Sequence, residues 1–198
     1  EILSGLVGSE MCIRDRVIVA VLAVFIGGLL VGRTPEFMGN KIGRQEISAV
    51  SLYILTMPVL VLVGVGASVA QRALVEASAT NFGAPGTPDN AHALSEVLYA
   101  FTSAANNNGS AFAGLTVTEP WWQISLGVVM LLGRFLPIVF ALSLAGSLAG
   151  QRAQATTAGS LPTAGITFAL LTVGVIVLVA ALTFFPVLTL GPISEALS

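Results

Sequence analysis

Only one cysteine, one histidine and a charged fraction of 9% are available to this 198-residue chain for polar chemistry. A lone cysteine, Cys12, excludes a disulfide framework and any cysteine-rich metal site. With His92 as the sole imidazole, histidine triads and zinc sites have almost nothing to build on. Neither a catalytic side-chain constellation nor a transition-metal site is expected. The eight Lys and Arg are scattered, so they form no phosphate-tracking patch and no nucleic-acid partner is expected. A soluble domain carries roughly 25% charge, and a disordered chain needs high charge with low hydrophobicity. This chain has the opposite balance: 55% hydrophobic residues and a mean hydropathy of +0.92. Its solvent is a lipid bilayer, and it is read as an integral membrane protein.

The few charges punctuate the chain into apolar runs. Residues 17–32 (VIVAVLAVFIGGLLVG) form a first run, somewhat short for the roughly 20 residues a crossing helix needs. Residues 47–71 form a second, long enough to cross with tilt. The third, 120–151, is broken only by Arg134, and the fourth becomes continuously apolar over about 166–190. Each is too long for a barrel strand and none alternates strictly, so the spans are helices. The first loop, residues 33–46, holds Arg33, Lys41 and Arg44, with turn chemistry at Thr34-Pro35 and Gly39-Asn40. The loop 150–162 holds Arg152, whereas the long segment between the second and third runs has Arg72 alone against four acids. The positive-inside rule therefore puts 33–46 and 150–162 in the cytoplasm. The middle segment and both chain ends then lie outside, with a bacterial inner membrane as the natural setting.

Residues 1–16 (EILSGLVGSEMCIRDR) break the apolar pattern that starts at Val17. The stretch 8–16 resembles translated adapter sequence found at the ends of metagenomic gene predictions. These sixteen residues are expected to be a non-native or disordered lead-in.

The informative segment is 93–115 (ALSEVLYAFTSAANNNGSAFAGL). Leu94, Leu98 and Phe101 recur at helical spacing. Ser95 is a candidate cap, and Glu96 falls in the first turn, where the helix dipole favours an acid. After about three turns the pattern collapses into Asn106-Asn107-Asn108-Gly109-Ser110. Amides and a hydroxyl do not lie against lipid, and non-helical backbone at membrane depth survives only inside protein or along a water-filled cavity. A short helix, a polar Gly-bearing strand and a return outward make a re-entrant pore loop. Such a strand can turn several carbonyls to one side and replace the hydration shell of a monovalent cation. The negative pole of the preceding helix would favour that cation as well. A surface turn between two ordinary helices explains the same residues equally well by spacing alone.

Arg134 is the second candidate. An arginine near the middle of a span costs at least about 2.5–3.5 kcal/mol on insertion scales, so it should face protein or water and pair with carbonyls or an acid. Glu96 is a less favoured partner, because it starts the short helix on the outer side. Trp121 and Trp122 read as an interfacial aromatic belt, and Gly27, Gly28, Gly64 and Gly66 as close-packing positions. His92 reads as an exposed loop residue.

Several strings go further together than any one of them alone. SEVLYAFTSAANNNGSAFAGL at 95–115 resembles the fourth pore loop of the potassium-transporting ATPase A subunit family. VGRTPEFMGNKI at 31–42 resembles that family's VGRTPEYLGKKI loop. GRF at 133–135, AGSLA at 145–149, SLPT at 160–163 and ALTFFPVLTLGPISE at 181–195 follow in the family's order. The family commonly has HGFSEVLYA where this chain has His92-Ala93-Leu94-Ser95-Glu96, so His92 is displaced and receives no role. The stretch after GRF also departs from the family pattern.

The resemblance implies an all-α integral membrane protein with about four transmembrane helices plus one re-entrant pore helix and filter loop. It would be part of a fourfold pseudo-repeat of helix–pore loop–helix units. Residues 17–46 would then be the closing helix of a third unit and its cytoplasmic loop. Residues 47–150 would form the fourth unit, and 151–198 a cytoplasmic loop and the final helix. The other three pore loops are missing, so the chain resembles a C-terminal fragment. The function implied is that of a potassium-binding and translocating subunit of an ATP-driven uptake pump. K⁺ would be bound at Asn106, Asn107, Asn108, Gly109 and Ser110, with Arg134 beneath them governing its exit. No organic cofactor is implied, and nothing here matches GxxxxGK[ST] or DKTG. ATP would be used by a partner, a catalytic P-type ATPase subunit, alongside small accessory membrane subunits. A passive K⁺ channel or symporter of the same pore-loop superfamily is the alternative. A membrane assembly subunit whose loop never meets an ion is a third reading.

Overall fold

The computed structural model describes residues 9–78, 92–110, 114–151 and 165–197. In chain order it has helix α1 (Ser9–Val31), strands β1 (Glu36–Phe37) and β2 (Asn40–Lys41), then helices α2 (Arg44–Val69) and α3 (Arg72–Ser78). Helices α4 (Ala93–Ala105), α5 (Pro120–Ala149) and α6 (Ile166–Leu197) complete it. Among the described residues three helices are long and apolar enough to cross a membrane: Arg44–Val69, Pro120–Ala149 and Ile166–Thr183. Their apolar character runs around the whole helix rather than along one stripe, as suits helices solvated by lipid. This is an all-α membrane protein.

The fourth expected span, residues 17–32, is the second part of α1. Its uncharged helical stretch rises only about 22 Å at 1.5 Å per residue, against a hydrocarbon core of about 30 Å. Arg14, Asp15 and Arg16 immediately precede it. Among the described residues three helices have the length and composition to cross, and this one falls short in its uncharged length. Residues 9–16 are the first two turns of α1, and the Tyr53 hydroxyl donates to the Asp15 carboxylate. Residues 1–8 lie outside the described residues, as does most of the loop expected at 150–162.

Contacts sort the chain into two compact units, one of Glu1–Tyr53 with Ile138–Leu182 and one of Ile54–Pro137 with Thr183–Ser198. In the first, Ile18, Val21, Val24, Val50 and Leu144 are buried. Between α1 and α2 the chain makes a tight hairpin, pairing Glu36 with Lys41 and Phe37 with Asn40. Met38 and Gly39 both have positive φ, 53° and 80°, the type I′ geometry that matches strand twist. The turn thus falls one residue earlier than the Gly39-Asn40 step suggests. Glu46, 4% exposed, fastens this region. Its Oε2 accepts the Gly43 N–H at 2.8 Å, which is the backward half of a capping box at the start of α2. Its Oε1 accepts Gln151 Nε2 at 2.8 Å and the Ser147 hydroxyl, both at the end of α5. Gln151 Oε1 in turn accepts the Lys41 N–H of β2 at 3.1 Å.

The second unit is organised around α4. Its core joins Val65 of α2, Val97, Ala100, Phe101, Ala104 and Ala105 of α4, Leu115, and Trp122 and Val129 of α5. Phe101 and Trp122 are fully buried, with ring centroids 6.2 Å apart at 50°. Trp122 is therefore a core residue rather than part of an interfacial belt, and only a short helix packed beside it makes that possible. Trp121 is half-buried and donates its indole N–H to Ser68 Oγ at 3.0 Å. Gly64 does serve close packing: a Cβ there would lie 2.4 Å from the Phe101 ring. Gly66 has open space around it.

Candidate functional site

Helix α4 begins at Ala93, with exposed His92 at its N-cap and the His92 carbonyl accepting the Glu96 N–H at 3.0 Å. Ser95 therefore lies inside the first turn and is not the cap. The amphipathic helix buries Glu96, Val97, Ala100, Phe101, Ser103, Ala104 and Ala105. Leu94 and Leu98, which carry the apolar spacing in the sequence, are only half-buried.

The helix ends in the three asparagines, and each has a structural reason to be there. An α-helix leaves its last four carbonyls without intrahelical donors. Here all four receive one. Asn106 gives both its N–H (3.1 Å) and its Nδ2 (2.8 Å) to the Thr102 carbonyl. The Asn108 N–H reaches Ser103 O at 2.9 Å and the Asn107 N–H reaches Ala104 O at 3.0 Å, the paired 6→1 and 5→2 bonds of a Schellman motif. Asn107 Nδ2 takes the remaining carbonyl, Ala105 O, at 3.3 Å. Asn107 sits at the left-handed position of that motif with φ 58°, where asparagine is the usual substitute for glycine.

Beyond the cap the backbone is irregular and open. Asn108, Gly109 and Ser110 are exposed, and Gly109 has φ 71° with no neighbour within 4 Å of where a Cβ would be. The segment is nonetheless held. The Ser110 N–H donates to Ser103 Oγ at 3.0 Å, and the two serine oxygens are 2.9 Å apart. Tyr99 Oη lies 3.0 Å from Ser110 Oγ. Four residues later the chain is back against the helix: a Cβ on Gly114 would sit 1.9 Å from Glu96 Oε1. Glu96 is fully buried there, on the return side of the loop.

Arg134 is on α5, directly after the contact that brings α5 to the end of α4. At Gly133 a Cβ would lie 2.2 Å from Ala105 O and 3.0 Å from Ala105 Cα. This fixes Arg134 at the level where helix α4 gives way to residues 106–110. Its side chain is exposed, and no described residue pairs with its guanidinium. Glu96 lies against the backbone at Gly114 instead, so the two are not brought together. No group of three His, Cys, Asp or Glu suited to a metal ion occurs among the described residues.

The sequence argument overlooked Tyr99, Ser103, Gly114 and Gly133 as parts of this site. A signal existed for the first two: with Glu96 they fall at intervals of three and four, one face of a helix.

A short, buried-faced helix ending in a pinned polar loop, packed against long apolar helices, is a feature of an all-α membrane protein. Comparison with known proteins narrows this. The sequence model of the potassium-transporting ATPase A subunit matches residues 1–197. A potassium-transporting ATPase potassium-binding subunit of Nocardia farcinica is 60% identical over 199 residues, covering 100% of this chain and 35% of that protein. Proteins of the same name from Mycobacteroides abscessus (59% over 196 residues; 99% and 34% covered) and Rhodococcus erythropolis (57% over 201 residues; 100% and 35%) are similar to it as well. The chain belongs to the potassium-transporting ATPase A subunit (KdpA) family. It spans about a third of the length of these relatives.

Proposed function

We propose that this chain supplies one of the ion-binding loops of a potassium-translocating subunit in an ATP-driven uptake pump. The observation that carries the reading is the loop itself: Asn106 to Ser110 leave helix α4 through a fully satisfied cap and present exposed backbone around Gly109. Backbone carbonyls held in a fixed arrangement are what a dehydrated K⁺ needs in place of its water shell. One loop cannot surround an ion. The missing length of the relatives leaves room for the further repeats that would complete a ring around it.

In this reading Asn106 and Asn107 offer the ion backbone carbonyls and side-chain Oδ1 atoms, while both Nδ2 groups donate to the helix end. Asn108, Gly109 and Ser110 are the residues nearest the ion. Arg134, one residue from the Gly133–Ala105 contact, stands below them and regulates the ion's exit, facing surface that the remaining repeats provide. The site has no redox or covalent step. Its work is selective dehydration and transfer toward a P-type ATPase subunit, which uses the ATP, with small accessory membrane subunits completing the complex. The complex resides in a bacterial inner membrane, with residues 33–46 and 150–162 on the cytoplasmic side and the middle loop and C-terminus outside.

The test is ion selectivity of the full-length subunit, assembled in its complex, after Gly109→Asp and, separately, Asn107→Asp. Each places a carboxylate among the loop carbonyls. The proposal requires a loss of K⁺ affinity or of discrimination against Na⁺ and NH₄⁺ in ion-stimulated ATP hydrolysis. Wild-type selectivity in both variants would refute it.

A further inference from the structure

Residues Glu96, Tyr99 and Ser103 share one face of α4, at intervals of three and four residues. All three reach the polar loop. Ser103, 3% exposed, accepts the Ser110 N–H and shares a hydrogen bond with the Ser110 hydroxyl. Tyr99, 44% exposed, also meets that hydroxyl at 3.0 Å. Glu96, fully buried, lies against the backbone at Gly114. With the Schellman cap holding Asn107 and Asn108, the segment 106–110 is tied at its beginning by the helix end and at its finish by two hydroxyls.

From this geometry we infer that Tyr99 and Ser103 are positioning residues that set the ion selectivity of the loop, with Glu96 packed against its return at Gly114. The inference rests on the reading of 106–110 as an ion-binding loop and adds which side chains make that loop selective. A proton count supports the division of labour. The three hydroxyls and the Ser110 N–H make four donors, and the three observed links use three of them. When Tyr99 and Ser103 both donate, they occupy the lone pairs of Ser110 Oγ. That oxygen then serves as the anchor of the strand and not as an ion ligand, and the carbonyls do the coordinating. Gly109, with φ 71° and nothing within 4 Å, has no side chain to hold it in place. Its carbonyl position is inherited from the anchored residues on either side. A selective site needs that position fixed, because a loop free to relax accommodates a wrong ion as readily as the right one.

The experiment uses the full-length subunit in its complex, with K⁺, Na⁺ and NH₄⁺ as probes of stimulated ATP hydrolysis. Tyr99→Phe removes one oxygen atom, and Ser103→Ala removes another. A hydrogen bond is worth about 0.5–1.5 kcal/mol, so each variant is expected to raise the half-saturating K⁺ concentration about two- to tenfold. The discrimination between K⁺ and NH₄⁺ should fall with it, while the maximal rate stays within about twofold, since the hydroxyls act on the ion site and not on ATP chemistry. Ser110→Ala combined with Tyr99→Phe should add little to Ser110→Ala alone, as partners in one network do. A merely structural role would lower assembly or thermal stability and leave the ratio of the two ion affinities unchanged. If Ser103→Ala fails to assemble, Tyr99→Phe decides. Unchanged discrimination in Tyr99→Phe, alongside lost discrimination in Gly109→Asp, overturns this inference and leaves the ion-binding loop standing. Retained discrimination in Gly109→Asp overturns both.

Discussion

Replacing Gly133 by alanine tests the closest contact in the second unit. The added methyl would lie 2.2 Å from the Ala105 carbonyl oxygen, and 3.0 Å from both its carbon and its Cα. Real Cβ contacts essentially never fall below 3.0 Å, so at least about 0.8 Å must be found. The obstructing atoms are all backbone, and no rotamer change can clear them. Helix α5 must move away, or the last turn of α4 must tilt. Overpacking of this kind costs about 1–3 kcal/mol. An alanine in a helix returns up to about 1 kcal/mol over glycine, so the net loss is expected at about 1–2 kcal/mol. Ala105 directly precedes Asn106, and part of the displacement should pass into the loop. The measurement is a thermal unfolding midpoint of the full-length complex together with its K⁺-stimulated ATP hydrolysis. We expect a lowered midpoint and an apparent K⁺ affinity weakened by about fivefold, the equivalent of about 1 kcal/mol. Gly64→Ala provides the comparison. Its methyl meets the Phe101 ring at 2.4 Å, and a ring can tilt where a carbonyl cannot, so the effect should be smaller. Wild-type stability and K⁺ affinity in Gly133→Ala would show that α5 does not rest on Ala105, and the placement of Arg134 would fall with it.

Trp122→Ala should destabilise the protein by about 3–5 kcal/mol, the usual cost of emptying a buried aromatic site, read as loss of monodisperse protein on heating in detergent. A stable Trp122→Ala variant would return this residue to the lipid interface. Asn107 occupies the left-handed region at φ 58°, so Asn107→Ala should cost about 1–2 kcal/mol and Asn107→Gly distinctly less. Equal thermal midpoints for the two would contradict the cap. Glu46→Ala removes the acceptor for Gly43, Ser147 and Gln151; hydrogen bonds to a charged group are worth about 1.5–3 kcal/mol each. A drop in thermal stability of several degrees is expected, smaller for Glu46→Gln, and proteolysis should quicken within the hairpin at residues 36–41. An unchanged cleavage rate there would remove Glu46 from the role of fastener.

The spans at α2, α5 and α6 were legible because charge is the scarce commodity of this chain, and gaps between charges mark what lipid will accept. The short helix and its abrupt end were legible too: spacing announces α4, and three consecutive asparagines cannot continue it against lipid. Other features depend on what packs beside them. Two tryptophans after a proline read as an interface, and only α4 lying against α5 turns Trp122 inward. Leu94, Leu98 and Phe101 drew attention to one face of α4, whereas only Phe101 of the three is fully buried, beside Val97, small residues and Glu96. A polar residue on a buried face gives no periodic signal in hydropathy. The β-hairpin shows only in its turn residues, since two-residue strands are too short to alternate. The helical start at Ser9 ran against a local loss of apolar pattern, and a hydrogen bond from Tyr53, distant in sequence, helps hold it.

The fully capped end of α4 has an electrostatic consequence. The negative pole of a helix resides in its unsatisfied carbonyls, and its reach is confined to the last turn. At Thr102, Ser103, Ala104 and Ala105 those carbonyls each face a donor N–H, whose positive hydrogen offsets the pole from close range. The helix end is thereby nearly silent to a passing cation. It acts as a bracket and not as a lure, so on the proposed ion-binding reading the grip on an ion at 106–110 comes from where oxygens are held and little from a field that any cation would feel alike. A bare pole attracts Na⁺ and K⁺ without distinction. Muting it leaves size and spacing to decide.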